Sequence, residues 1–319
     1  MGQIRSELET LEGSSVLITG GAGFIGSHLA DQLVDYCDVT VLDDLSNGNR
    51  DYVPEAANFV RGDIREGETL GRAFEGIDIV FHQAAIVSVN ESVENPIESH
   101  ETNLDATLTI LEEARKHDVR VVLASSTAIY GEPETLPVSE EDSKTPSSPY
   151  GLDKLALDHY ARLYNELYGL ETVALRYFNV YGPRQGSGPY GGVISIFVDQ
   201  ALSGEPITIH GEGTQTRDFV HVSDVVQANI RAATTDVVGE AFNVGTGTEI
   251  SILELAKLIR DVSDSDSELV HESARPGDVS KSRADIQRIQ NRLDFTPEVT
   301  LEEGLRNLVE FRQNSEADD

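Results

Sequence analysis

The chain has 319 residues, 39% of them hydrophobic, enough to bury the core of one large α/β domain with an appended lobe, or of two domains. Its 56 acidic residues against 24 basic ones give a formal net charge of −32, which excludes nucleic acid and anionic membrane as natural partners. No apolar run reaches membrane-spanning length, no signal-peptide pattern opens the chain, and the single cysteine, Cys37, leaves no internal disulfide or cysteine metal site. A cytoplasmic protein without a metal centre is expected.

Residues 1–13 read as a polar leader. Val16, Leu17 and Ile18 then form a short apolar run suited to a buried parallel strand. From Phe24 onward, Ile25, Leu29 and Leu33 recur at helical spacing, so Gly20, Gly21 and Gly23 occupy the joint between strand and helix. Glycines there let a backbone turn tightly and approach a pyrophosphate, while the helix N-terminus faces the anion. Gly26, one turn further, is expected to leave room for the helix to pack on the sheet. Gly20, Gly23, Phe24, Ile25 and Gly26 are therefore candidate cofactor contacts.

A second strand, Val39 to Leu42, ends in Asp43 and Asp44. A carboxylate at that point accepts from ribose hydroxyls and repels a 2′-phosphate, which favours NAD over NADP, although Arg50 is near enough to keep NADP open. Asn58–Val60 and Ile77–Phe81 read as the third and fourth strands. Ala84 and Ala85 after the fourth are small enough for close passage beneath a cofactor. One helix is expected over Pro96–His117, with Leu104, Leu108 and Leu111 on a stripe, and Val119–Leu123 as the fifth strand. The alternation continues unbroken to Arg176, without internal repeats.

The fifth strand runs into Ser125-Ser126-Thr127-Ala128, and the next helix opens at Ser148-Pro149-Tyr150-Gly151-Leu152-Asp153-Lys154. Tyr150 and Lys154 are four apart and share a helical face. An ammonium beside a phenol, with a positive nicotinamide ring nearby, is expected to lower the tyrosine pKa toward neutrality and make Tyr150 a general base for a sugar hydroxyl. Ser126, at a strand end on the same cleft, would relay or share that proton.

The spacing Gly20-x-x-Gly23-x-x-Gly26, with Ser126 and the Tyr150/Lys154 pair, resembles the extended short-chain dehydrogenases/reductases of the NAD-dependent epimerase/dehydratase family from about Val16 to Arg306. Further stretches carry the likeness: Arg176-Tyr177-Phe178-Asn179-Val180-Tyr181-Gly182-Pro183, Gly211 to Val222, and Arg275-Pro276-Gly277-Asp278. The resemblance implies a Rossmann doubly wound parallel sheet, α/β in class, with a smaller C-terminal substrate-binding lobe. The expected division is residues 14–178 plus 221–246 for the NAD-binding domain, and 179–220 plus 247–319 for the nucleotide-sugar lobe. It further implies adenine-side contacts at Asp63 and Ile64, a nicotinamide-side position at Asn103, and a cofactor contact at Tyr177; His82 is given no proton-transfer role and is read as structural. On the substrate side it implies Asn179, Val193, Arg217, Arg275, Asp278 and Ser282. Guanidinium forks at Arg217 and Arg275 suit a diphosphate, though each also fits a surface salt bridge. Gln185–Gly192, rich in Gly, Ser and Pro, reads as a substrate-side loop, and the chain after Arg312 as a fraying tail.

Three functions compete. A nucleotide-sugar 4-epimerase holds NAD through the cycle and oxidises sugar C4 transiently. A 4,6-dehydratase or decarboxylase of the same family begins with that oxidation but carries an acid directly after the hydroxyl residue, where this chain has Thr127-Ala128. A non-enzymatic NAD-binding regulator would need no base. Epimerisation of a UDP-linked hexose is the reading retained, with a homodimer formed through helices near 96–117 and 149–168.

The carboxylates are spread along the whole chain, and only five of its basic residues are lysine, a pattern suited to high salt. Melting temperature and activity should therefore rise together from low to molar KCl, as read by calorimetry and assay over one salt series. Equal stability throughout the series would separate the acidity from salt.

Overall fold

The computed structural model describes residues 4–186, 191–274 and 279–317. Six strands come first in the chain: β1 (Ser15–Thr19), β2 (Asp38–Asp43), β3 (Asn58–Arg61), β4 (Ile79–His82), β5 (Arg120–Ser126) and β6 (Thr172–Tyr177). They join Glu240–Val244 in one seven-stranded sheet, ordered β3, β2, β1, β4, β5, β6 and then Glu240–Val244 at the edge. Every pairing is parallel. The order reverses between β1 and β4, so a crevice opens at the strand C-termini there.

β4 and β6 are buried at every position, as a parallel sheet covered on both faces requires. α2 (Phe24–Leu33) and the helix Val222–Thr234 cover one face; Ala106–His117 and Pro149–Tyr168 cover the other. A third core, including Phe197, Leu255, Ile259 and Leu305, lies among residues 181–309. Short strand pairs frame it: Asn179–Tyr181 with Phe219–His221, Ile207–His210 with Leu269–Glu272, and Thr216–Arg217 with Ile250–Ser251.

Three expectations change, and one gains a detail. The polar leader is instead α1 (Arg5–Thr10), which buries Ile4, Leu8 and Leu11 and is held to the helix Val222–Thr234 by Glu7–Arg231 at 2.9 Å. The helix expected over 96–117 is present with one irregularity: Pro96–His100 passes through a π-helical turn, Glu101–Asp105, into Ala106–His117. Helix Gln287–Leu293, inside the stretch expected in the smaller lobe, packs Ile289 and Leu293 into the larger core. The final helix runs Leu301–Ala317, past the expected fraying point.

Arg176, 1% exposed, anchors the edge of the sheet. Its Nε and Nη2 donate to Asp158 at 2.8 and 2.9 Å, and its Nη1 donates to the Tyr130 hydroxyl and the Glu140 carbonyl. Tyr130 passes the contact to Asn243 of the edge strand at 2.6 Å. Burial pulls the Asp158 carboxyl upward, but the hydrogen bonds and charge of Arg176 outweigh it and hold the group below its ordinary value. Arg176→Met removes both guanidinium hydrogen bonds to that buried carboxylate, leaving it to Arg162 and Ser125, and should cost about 3 kcal/mol of stability. Because the folded-state value is depressed, the stabilisation is full above the ordinary aspartate range and fades as pH falls through the folded value. Urea denaturation of wild type and variant in molar KCl should show the gap near neutrality and its closure in acid. A gap below about 1 kcal/mol at neutrality contradicts the assignment.

Candidate active site

The glycine turn closes on itself. Gly20 leaves β1 with φ of +68°, and a Cβ on Gly26 would lie 2.2 Å from the Gly20 carbonyl oxygen. Gly26 thus makes room for the turn itself rather than for the sheet, a correction to the sequence reading. A Cβ on Gly20 would lie 2.7 Å from the Ala84 nitrogen, so the loop after β4 crosses directly against the turn. The N-cap of α2, Gly23, brings no side chain to its first-turn amides at Phe24 and Ile25, which suits a pyrophosphate.

Asp43 is buried at the end of β2 and accepts from the Ala22 amide at 3.0 Å and the Leu45 amide at 2.8 Å. Burial holds its carboxyl above the ordinary value, against those two hydrogen bonds. Each oxygen keeps a lone pair for a ribose hydroxyl. Asp44 is exposed and accepts instead from Ser46. Arg50 lies over the Phe59 ring at 4.7 Å and donates to the Val53 carbonyl. Asp63 is gripped by Arg65 at 2.6–3.0 Å, which keeps its carboxyl low, while Ile64 is buried beside it.

The turn of β5 meets the helix Pro149–Tyr168 backbone to backbone: a Cβ on Gly151 would lie 2.7 Å from the Ala128 carbonyl oxygen. That contact brings Tyr150 and Lys154 under Ser126. Ser126 accepts from the Ala128 amide at 3.1 Å and makes a hydrogen bond with the Tyr150 phenol. Lys154 is buried, donates to the Ala124 carbonyl at 2.8 Å and sits 5.8 Å from the Tyr150 ring centroid. Burial lowers its pKa to about 8, with Asp153 opposing. Burial raises the Tyr150 phenol against the Ser126 hydrogen bond, and the lowering expected from the sequence depends on a nicotinamide charge beside it as well. The Ser92 hydroxyl, unforeseen in the sequence, accepts the Tyr150 amide at 3.2 Å and fixes the start of the helix.

His82 is structural, bound by Nδ1 to Thr19 at 2.7 Å and by Nε2 to Thr107 at 2.8 Å. Burial, with the Lys154 charge second, pushes its pKa down to about 3, so the ring is neutral. Thr107 donates on to the Asn103 carbonyl. Asn103 sits in the π-helical turn, and its amide clamps both the N–H and C=O of Ile86, at 2.8 and 3.0 Å. It holds the loop after β4 in place, a contact no spacing in the sequence exposes. The Tyr177 hydroxyl is engaged with Gln83 and Asn229, and its pKa is raised by burial.

On the substrate side, the Asn179 amide donates to the Asp218 carbonyl at 3.0 Å. Val193 opens the helix Val193–Ser203, and Arg217 lies half-buried, donating Nη1 to the Thr216 carbonyl. Ser282 is buried, its amide on the Thr216 carbonyl at 3.1 Å, in a segment tied across to the β5 side by Ser280–Glu132 and Arg283–Val138. Arg275 and Asp278 lie outside the described residues. The sequence reading passed over Asp218, whose carboxylate collects the amides of Thr246, Gly247 and Ala284 and so pins three segments of this side together.

A glycine-lined dinucleotide cradle facing a serine, a tyrosine and a buried lysine defines a nicotinamide-dependent enzyme of the short-chain type. The chain belongs to the NAD dependent epimerase/dehydratase family, whose model matches residues 16–245, and NAD is its cofactor. It is 43% identical over 304 residues to a protein described as a putative UDP-glucose 4-epimerase from Methanocaldococcus jannaschii, covering 94% of this chain and 99% of that one. It is 37% identical to a UDP-N-acetyl-alpha-D-glucosaminuronate decarboxylase from Bacillus cytotoxicus, over 95% and 98% of the two. The Thermus thermophilus UDP-glucose 4-epimerase, solved with NAD, superposes with a TM-score of 0.87 at 39% identity, over 93% and 99% of the chains. Arg50, which left NADP open in the sequence, is engaged by Phe59 and the Val53 carbonyl, while Asp43 is buried at the end of β2.

Proposed function

We propose that the protein is a nucleotide-sugar 4-epimerase acting on UDP-glucose and UDP-galactose and on their N-acetyl forms. The observation that carries the reading is the Ser126, Tyr150 and Lys154 set with no carboxylate in the turn after Ser126, which holds Thr127 and Ala128. Dehydration and decarboxylation begin with the same oxidation but need an acid there, and the nearby Glu132 is bound to Ser280. Bound NAD supplies a reversible hydride acceptor for sugar C4. Tyr150 takes the C4 hydroxyl proton and returns it. Ser126, whose oxygen already accepts the Ala128 amide, donates toward the phenolate or the sugar oxygen, and Lys154 favours the ionised phenol.

A sugar that must receive hydride on its opposite face has to turn between the two transfers, so it is best gripped by its diphosphate. Arg217, Arg275 and Asn179 suit that grip, with Asp278 for the ribose. Residues 14–178 plus 221–246 would hold the cofactor, and 179–220 plus 247–319, apart from helix Gln287–Leu293, the nucleotide sugar. The exposed apolar side chains of Val93, Ile97, Leu152, Leu163 and Leu167 lie on three neighbouring helical segments, and Ile97 is 74% exposed, which supports a homodimer through that face.

Incubation with a panel of UDP- and dTDP-sugars in molar KCl, followed by NMR, should show 4-epimers and no 4-keto-6-deoxy or decarboxylated product. Tyr150→Phe should lower kcat by about 10²-fold or more with little change in KM. Unchanged turnover excludes Tyr150 as the base. By the family likeness Ser282 borders the sugar C2 substituent, where a serine in place of a tyrosine would admit an N-acetyl group. Ser282→Tyr should abolish turnover of UDP-N-acetylglucosamine and spare UDP-glucose, and equal kcat/KM for the N-acetyl sugar in both proteins would refute the gate. Light scattering in molar KCl should give the mass of a dimer, and a monomer mass would reject the apolar face as an interface.

A further inference from the structure

Beyond the edge strand Glu240–Val244 lies a cavity of about 390 Å³ that belongs to neither the cofactor nor the sugar side. Lys144, Arg162, Arg176, Arg288 and Arg292 all line it. Five of the chain's 24 basic residues thus meet in one hollow of a protein whose net charge is −32. Three carboxylates share the wall, Glu140, Glu141 and Glu240, and Asp158 lies beneath, between Arg162 and Arg176. The local balance is positive. Lys144 is lowered from its ordinary value, first by burial and then by the Arg176 charge, and His159 is lowered by burial and then by Arg162.

The guanidiniums are held but not saturated. Arg162 gives Nη2 to Asp158 and His159, Arg288 gives Nη2 to Glu141, and Arg292 gives Nη2 to Glu240. Among the described residues, Nη1 of each of these three arginines donates to nothing. Their carboxylates fix one side of each fork and leave the other for a ligand. Arginine outnumbers lysine four to one in the wall, and planar forks match the tetrahedral oxygens of a phosphoryl group better than they match chloride. The volume exceeds that of one phosphate.

We propose that this cavity binds the phosphoryl group of a small phosphorylated metabolite, between Arg162, Arg288 and Arg292. None of Ser126, Tyr150 and Lys154 lines the cavity, so the occupant is an effector and not a substrate of that set. Glu140, Glu141 and Lys144 belong to the stretch joining Ser126 to Tyr150, so occupancy braces the connection between the two catalytic segments. The proposal does not depend on the epimerase reading.

The test uses inorganic pyrophosphate as probe, added to the full-length protein with its NAD, at an ionic strength held constant with KCl. Calorimetric titration should show saturable binding, and the melting temperature should rise by about 2–4 °C. Arg288→Gln and Arg292→Gln should each weaken binding by about tenfold or more. Glu240→Gln, which frees Arg292, should tighten it, an effect that simple destabilisation does not produce. Equal affinity in wild type and all three variants would place the ion elsewhere and overturn the proposal. So would no binding at all, which would leave the arginines as partners of Glu141 and Glu240 alone.

Discussion

Gly20 and Gly26 pack backbone to backbone, and Ala84 crosses the same turn almost as closely; the rest of the crevice depends on that three-way contact. No side chain fits at either glycine, since an added Cβ would meet a neighbouring backbone atom at 2.2 or 2.7 Å. β1, α2 and the β4 loop are therefore one rigid unit. The other side of the loop is pinned by Asn103, and Asn103 reaches Ile86 from within a π-helical turn. Such turns recur at functional sites because they re-aim one side chain without ending the helix. Neutral His82 spans the remaining gap, from Thr19 on β1 to Thr107 one turn beyond.

Desolvation, not net charge, organises the protonation of this crevice. A protein carrying −32 would be expected to hold its cations charged, yet burial lowers Lys154 to about 8 and leaves His82 neutral. The same burial raises Tyr150. One ammonium 5.8 Å from the ring does not outweigh that cost. Ionisation of the phenol therefore calls for a second positive charge at the site, which ties proton removal to the oxidised form of the cofactor.

What could be read beforehand followed from periodicity and local spacing. Strands buried on both faces appear as apolar runs, and a Tyr and a Lys four apart on a helix must share a side, so the sheet, the glycine turn and the Ser126, Tyr150, Lys154 set were all legible. α1 was not, because only Ile4, Leu8 and Leu11 bury it within an otherwise polar stretch. The π-helical turn was hidden because one slipped hydrogen bond leaves the leucine stripe intact. Hydrogen-bond networks were invisible for another reason: Tyr130 finds Asn243 113 residues away, and Thr19 finds His82 63 residues away. Asp218 was overlooked beside the more conspicuous Arg217, although its buried carboxylate is what joins three segments.

The outermost strand has a consequence for synthesis. When residues 1–178 have left the ribosome, six of the seven strands exist, but the outer edge of β6 stays unpaired until Glu240–Val244 is made. Until then Arg176 and Tyr130 lack Asn243, their link to the final strand. The nascent chain must carry an open sheet edge through the synthesis of some sixty further residues. That interval, rather than the finished enzyme, is when the protein is most exposed to association with other unfinished chains.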